Sequence, residues 1–210
     1  PWSEDAPQVV NALLAAPAGR GLKALILTPA PLPEDHEEDV DEYDEDGVLI
    51  GPSDDVQRAL AEAIARIDLG RLQTLRLPYL RLGDAGAQAL AEAAALSGLA
   101  GLDLRYNVLG DEGLAALLAD RRLAALRRLE LQHNRIGPAG ARALTQAALG
   151  LALLDLRYNP LGVEGAAALA QAPAAASLET LRLYLDDVTP AGARALACSP
   201  PCALAADGVL

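Results

Sequence analysis

The sequence predicts an α/β solenoid in which short parallel strands stack along one side and helices along the other. Three observations carry that prediction. Leucines recur at the first, fourth and sixth places of a unit that restarts at residues 72, 99, 126, 151 and 178, so the spacings are 27, 27, 25 and 27 residues. A Gly-x-x-Gly pair follows at Gly83/Gly86, Gly110/Gly113, Gly137/Gly140 and Gly162/Gly165, and the last unit keeps only Gly192. An Ala-rich run at helical spacing then closes each unit. A single unit is too thin to bury both its strand and its helix, so the units must stack.

The elements follow in chain order. Residues 1–21 form an N-terminal cap: SEDAPQVVNALLAA reads as a helix with Ser3 or Asp5 as N-cap, shielding the open end of the stack. Residues 22–71 form a divergent first unit. Leu22, Leu25, Leu27 and Leu32 hold the frame, Ala30 takes the ninth place, and an acidic insertion at 34–46 separates the strand from its helix. That helix resumes at about Asp54–Ile67, with Leu60, Ile64 and Ile67 as its inner stripe. Five regular units fill 72–197, and 198–210 cap the last layer.

Within a regular unit, Leu-x-Leu is a strand period with one face buried. The ninth place is Asn107, Asn134 and Asn159 in the three middle units, and Leu80 and Asp186 in the outer two. An amide at a strand end is suited to satisfy turn backbone groups that burial would leave unpaired. The eleventh place is apolar again: Leu82, Leu109, Ile136, Leu161 and Val188. In the first regular unit, Ala87, Leu90, Ala91 and Ala94 mark the helical run.

The pattern L-x-x-L-x-L-x-x-N-x-L at constant period resembles the leucine-rich repeat family, in its ribonuclease-inhibitor-like class with a helix in every repeat. The likeness is strong over 72–197 and weak over 20–70. It implies a right-handed curved solenoid, a horseshoe segment with a parallel concave sheet and convex helices. Relatives of that class include inhibitors that wrap an enzyme and GTPase-activating proteins of the Ran type, which also carry acidic segments.

Alternation along a strand turns the residues between the leucines outward. The fifth place reads Ile26, Arg76, Asp103, Glu130, Asp155, Arg182; the seventh, Thr28, Pro78, Arg105, Gln132, Arg157, Tyr184; the eighth, Pro29, Tyr79, Tyr106, His133, Tyr158, Leu185. Four of the five tyrosines, Tyr79, Tyr106, Tyr158 and Tyr184, fall in these columns, although Leu and Ala build the core. Tyr and Arg dominate binding hot spots. The same rings on adjacent strands are also placed to stack on one another and simply stabilise the sheet. Both readings stand at this point. Asp103, Glu130 and Asp155 fall side by side, which predicts an acidic strip at mid-sheet, partly neutralised by Arg105, Arg128 and Arg157 and ended by Arg76 and Arg182. Such a strip suits a partner with a basic patch.

Composition narrows the function classes. The 210 residues carry a formal charge of −12, but ten carboxylates lie in residues 34–46, leaving 19 acidic against 17 basic residues elsewhere. No basic face for nucleic acid is evident, and no apolar run is long enough to span a membrane. Glu42, Asp44, Asp46 and Gly47 partly imitate a calcium loop, but Ser53 stands where a bidentate Glu belongs. Cys198 and Cys202, alone in the chain, read as free thiols. His36 and His133 are its only histidines, and no nucleophile elbow, phosphate loop or zinc pattern appears. The expectation is a non-catalytic, cytoplasmic, monomeric protein-interaction module of bacterial type without a cofactor. Its contact residues would be Arg76, Tyr79, Asp103, Arg105, Tyr106, Glu130, His133, Asp155, Arg157, Tyr158, Arg182 and Tyr184. A GTPase-activating or enzyme-inhibiting regulator is the alternative. A third reading, prompted by the start at Pro1, is a repeat domain of a longer chain.

Overall fold

A computed structural model of the chain describes residues 23–27, 58–62, 72–92, 96–119, 121–147, 149–170, 177–184 and 190. Six three-residue strands, all parallel, form one sheet in sequence order: β1 (Ala24–Ile26), β2 (Thr74–Arg76), β3 (Gly101–Asp103), β4 (Arg128–Glu130), β5 (Leu153–Asp155) and β6 (Thr180–Arg182). Between them lie four described helices: α1 (Gly83–Ala91), α2 (Asp111–Leu118), α3 (Pro138–Gln146) and α4 (Gly162–Ala170). The chain is an α/β solenoid, as its leucine period predicts.

Register explains the period. Leu25, Leu75, Leu102, Leu129, Leu154 and Leu181 pair directly from strand to strand. From Leu75 to Leu181 this row is almost fully buried, and the first- and sixth-place leucines of the three middle units are buried with it. The helices close the core from the other side through Ala87 and Leu90, Leu114 and Leu117, Ala141 and Leu144, and Ala166 and Leu169. Removing one such leucine side chain costs about 2–5 kcal/mol where the site cannot collapse. The divergent first unit contributes β1 in frame and helical backbone at 58–62, with Leu60 and Ala61 buried. The expected terminal caps (1–21, 198–210), the acidic insertion and its calcium-like stretch, Ile64, Ile67, Ala94, Asp186 and both cysteines lie outside the described residues.

Buried asparagines join consecutive turns. The Asn107 side-chain oxygen accepts from the Leu82 amide, and its NH2 donates to Leu77 and Arg105 carbonyls at 2.7 and 3.0 Å. Asn134 accepts from the amides of Asn107 and Leu109 and donates to the Leu104 and Leu131 carbonyls. Asn159 accepts from Ile136 and donates to Leu131 and Leu156. Each amide thus serves its own unit and the one before it, at a depth where an unpaired backbone group costs about 1–3 kcal/mol.

The glycine pairs have a different cause. One oxygen of Asp84 accepts from the amides of Gly110 and Gly113 at 2.7 and 3.1 Å, and one oxygen of Asp111 does the same for Gly137 and Gly140 at 2.7 and 2.8 Å. The first turn of one helix therefore caps the next helix across the stack. A Cβ at Gly113 or Gly140 would sit 2.5 Å from the capping carboxylate oxygen. Where Pro138 replaces the aspartate, the following Gly165 meets only apolar neighbours, the nearest at 3.2 Å.

Candidate functional site

The sheet face away from the helices bears two parallel features, a ridge of rings and a row of charges. The ridge begins where the strands end. Tyr79, Tyr106, His133 and Tyr158 all have positive φ, between 53° and 62°. This left-handed conformation is unusual for bulky side chains. It also ends strand alternation, which is why the eighth place faces outward although it lies an odd number of residues from the fifth. The rings stack in one column: Tyr79 on Tyr106 at 4.2 Å between centroids, Tyr106 on His133 at 4.0 Å, and His133 on Tyr158 at 3.9 Å. Tyr184 extends the column at 4.7 Å from Tyr158, with planes 22° apart, even though it occupies the seventh place. The stacking expected of the tyrosines is present, with His133 at its centre.

Stacking covers the ring faces and leaves the edges open. Tyr79, Tyr158 and Tyr184 remain 49, 44 and 41% exposed. Tyr106 and His133, flanked on both sides, are half-buried. Burial raises the Tyr106 phenol above its ordinary pKa, and the neighbouring Tyr79 phenol raises it further. The neutral hydroxyl is thereby favoured at every physiological pH.

The charge row differs from the expected acidic strip. Asp103 and Asp155 are only 2 and 0% exposed. Each is gripped by the arginine two residues on: Nε and Nη2 of Arg105 reach the two oxygens of Asp103 at 2.9 Å each, and those of Arg157 reach Asp155 at 3.0 and 2.8 Å. The Asp103 hydrogen bond holds the Arg105 guanidinium above its ordinary pKa. These forks lie flat over the carboxylates and cover them. Glu130 has Gln132, not arginine, two residues on, and borrows its neighbours: Arg105 at 3.7 Å and Arg76 at 4.0 Å. Arg76 also lies 3.9 Å from Asp103, and Arg182 lies 3.5 Å from Asp155. Gln132 donates to Asp155 at 2.7 Å, while its own buried oxygen meets no donor among the described residues.

Five arginines (76, 105, 128, 157 and 182) therefore share this face with three carboxylates (103, 130 and 155). The side chains of Arg76, Arg105, Arg157 and Arg182 are 34–40% exposed, whereas Glu130 is 14% exposed and the two aspartates are covered. Solvent meets guanidinium, not carboxylate. Alternation correctly gave the direction of Asp103 and Asp155, but not the local fold-back of arginine that hides them. The D-x-R spacing in both copies of LDLRYN was the available signal.

The family model described as "Leucine Rich repeat" matches residues 102–118, 125–144 and 152–170, which are the three units that carry the asparagine ladder. The chain carries leucine-rich repeats over these three stretches. No curated protein matches it. The matched repeats supply β3, β4 and β5 and, with them, His133 and the buried carboxylates, while Tyr79 and Tyr184 extend the ridge one unit to either side. Leucine-rich repeats generally mediate protein–protein interaction. Among the described residues, no helix is long and apolar enough to cross a membrane.

Proposed function

We propose that this leucine-rich repeat protein is a non-catalytic, cytoplasmic interaction module of the ribonuclease-inhibitor-like class. It acts as a monomer and binds a protein through the ring ridge and the arginine row beside it. The observation that carries the reading is the five-ring column with its edges open, running along exposed guanidiniums. Tyr and Arg give the most binding energy per residue at protein interfaces. Here both types are immobilised before any partner arrives, the rings by stacking and Arg105 and Arg157 by forked ion pairs. Binding then costs little of the side-chain entropy that an interface usually loses, about 0.5–1.5 kcal/mol for each rotamer-rich side chain. Stacking alone accounts for the ring faces but gives no reason to keep phenol edges and guanidiniums together on one open surface. The non-catalytic reading rests on the same ion pairs: both oxygens of Asp103 and of Asp155 are already engaged, which leaves neither positioned as a free general base.

The test is affinity capture with the intact chain and with a Tyr106→Asn/Tyr158→Asn variant. Asparagine removes the ring while tolerating positive φ. Proteins captured by the wild type and lost with the folded variant are the expected result. Equal capture by both would overturn the reading.

A further inference from the structure

A depression on the open face lies among the arginines. The third place of successive units reads Thr74, Gly101 and Arg128, which pair directly across β2, β3 and β4. Gly101 has no side chain, so a gap one residue wide opens between Thr74 and Arg128, about 10 Å apart by two strand spacings. The result is a hollow of about 280 Å³, floored by Gly101 and bordered by Arg76, Arg127, Arg128 and Glu130. Arg127 is tied back to the Leu126 and Gly150 carbonyls. Glu130 is shared by Arg76 and Arg105, and the Asp103 carboxylate is closed over by Arg105. Arg128 is exposed and forms no ion pair among the described residues.

We propose that this hollow is a docking site for an acidic peptide segment of a protein partner, with a carboxylate seated between Arg76 and Arg128. The inference rests on the interaction reading and gives the partner a chemistry. Charge complementarity selects that chemistry: two guanidiniums border the hollow from opposite sides, and its own carboxylates are already neutralised. A carboxylate can accept a fork from one guanidinium and a second contact from another, as Asp103 does from Arg105 and Arg76 and Asp155 from Arg157 and Arg182. A lysine-bearing segment would meet those cations instead. Single-stranded nucleic acid also offers anions, but its binding depends on bases stacking on open ring faces. The inner faces of this ridge are occupied by one another at 3.9–4.7 Å.

The test uses the full chain and fluorescent hexaglutamate, hexalysine and oligothymidylate probes, with anisotropy followed at low and rising salt. Two variants read the hollow. Arg128→Glu reverses its unpaired charge. Gly101→Thr fills it with the residue found at the same place in β2 and β6, and a Cβ there meets Thr74 at 3.4 Å, an ordinary contact. Hexaglutamate should bind, weaken as salt rises, and lose at least about tenfold in affinity with either variant, while both variants melt like the wild type. No binding of hexaglutamate, equal or tighter binding of hexalysine, tighter binding of oligothymidylate, or folded variants that bind unchanged would each overturn the proposal. The two readings fail separately. Capture that depends on Tyr106 and Tyr158 but is indifferent to Arg128→Glu keeps the interaction module and removes the acidic ligand; capture that ignores the tyrosines removes the module.

Discussion

Val108 and Pro160 hold the same place in two units whose other eight residues, LDLRYN and LG, are identical. Their backbones cannot be identical. Val108 has φ of +57°, a conformation that strains a β-branched residue by about 1–3 kcal/mol, and proline is held near −65°. Val108→Asn should therefore stabilise the chain by about 0.5–1 kcal/mol in urea unfolding, because asparagine accepts the left-handed region. Val108→Pro should destabilise it by about 2 kcal/mol or more, although the unit two further along carries proline at that place. Tyr106 gives a pH prediction. Its phenol pKa is raised in the folded state, chiefly by burial, so the unfolded chain loses its proton first. The associated stability is complete below about pH 10, the ordinary phenol value, and is lost as pH rises through the folded-state value. Ultraviolet titration of tyrosinate should show a late-ionising phenol that disappears in Tyr106→Asn.

At the scale of elements, the capping aspartates tie α1 to α2 and α2 to α3. Asp111→Ala should cost about 1–2 kcal/mol, as loss of a helix N-cap does, even though Asp111 lies in α2 and the helix it caps is α3. Gly140→Ala should also destabilise, because its Cβ would approach the same carboxylate oxygen to 2.5 Å. In a double-mutant cycle the two losses should sum to more than the double variant shows, since removing the carboxylate makes room for the methyl. Additive losses would mean that the carboxylate is not what excludes a side chain there. The asparagines act likewise a few residues earlier in the same turn, where Leu109 donates to Asn134 and Gly110 to Asp84. Two sets of polar side chains at the strand-to-helix turns thus fix the spacing between units.

For the whole molecule, stability is a property of neighbours, since no unit buries its leucines alone. The period of Leu, Asn and Gly made the strands, their order and the buried row readable from sequence, because each letter answers to packing repeated unit after unit. The divergent first unit was readable in frame for the same reason, through Leu25 and Leu60. The site was readable only in part. Tyr79, Tyr106, His133 and Tyr158 stood out as a column, but Tyr184 joins it from another place, since alternation no longer governs direction once the chain turns. The burial of Asp103 and Asp155 depends on arginines folding back over them, and strand period carries no information about which charge covers which. That reversal decides the character of the face: an aromatic ridge beside exposed guanidiniums. The most direct measurement is the affinity of a captured partner for the wild type, for Tyr106→Asn/Tyr158→Asn and for Glu112→Ala, an exposed change on the helix side. A loss of about tenfold or more is expected for the tyrosine variant and none for Glu112→Ala. Unchanged affinity in the folded tyrosine variant, or a loss confined to Glu112→Ala, would rule out the ring ridge as the binding face.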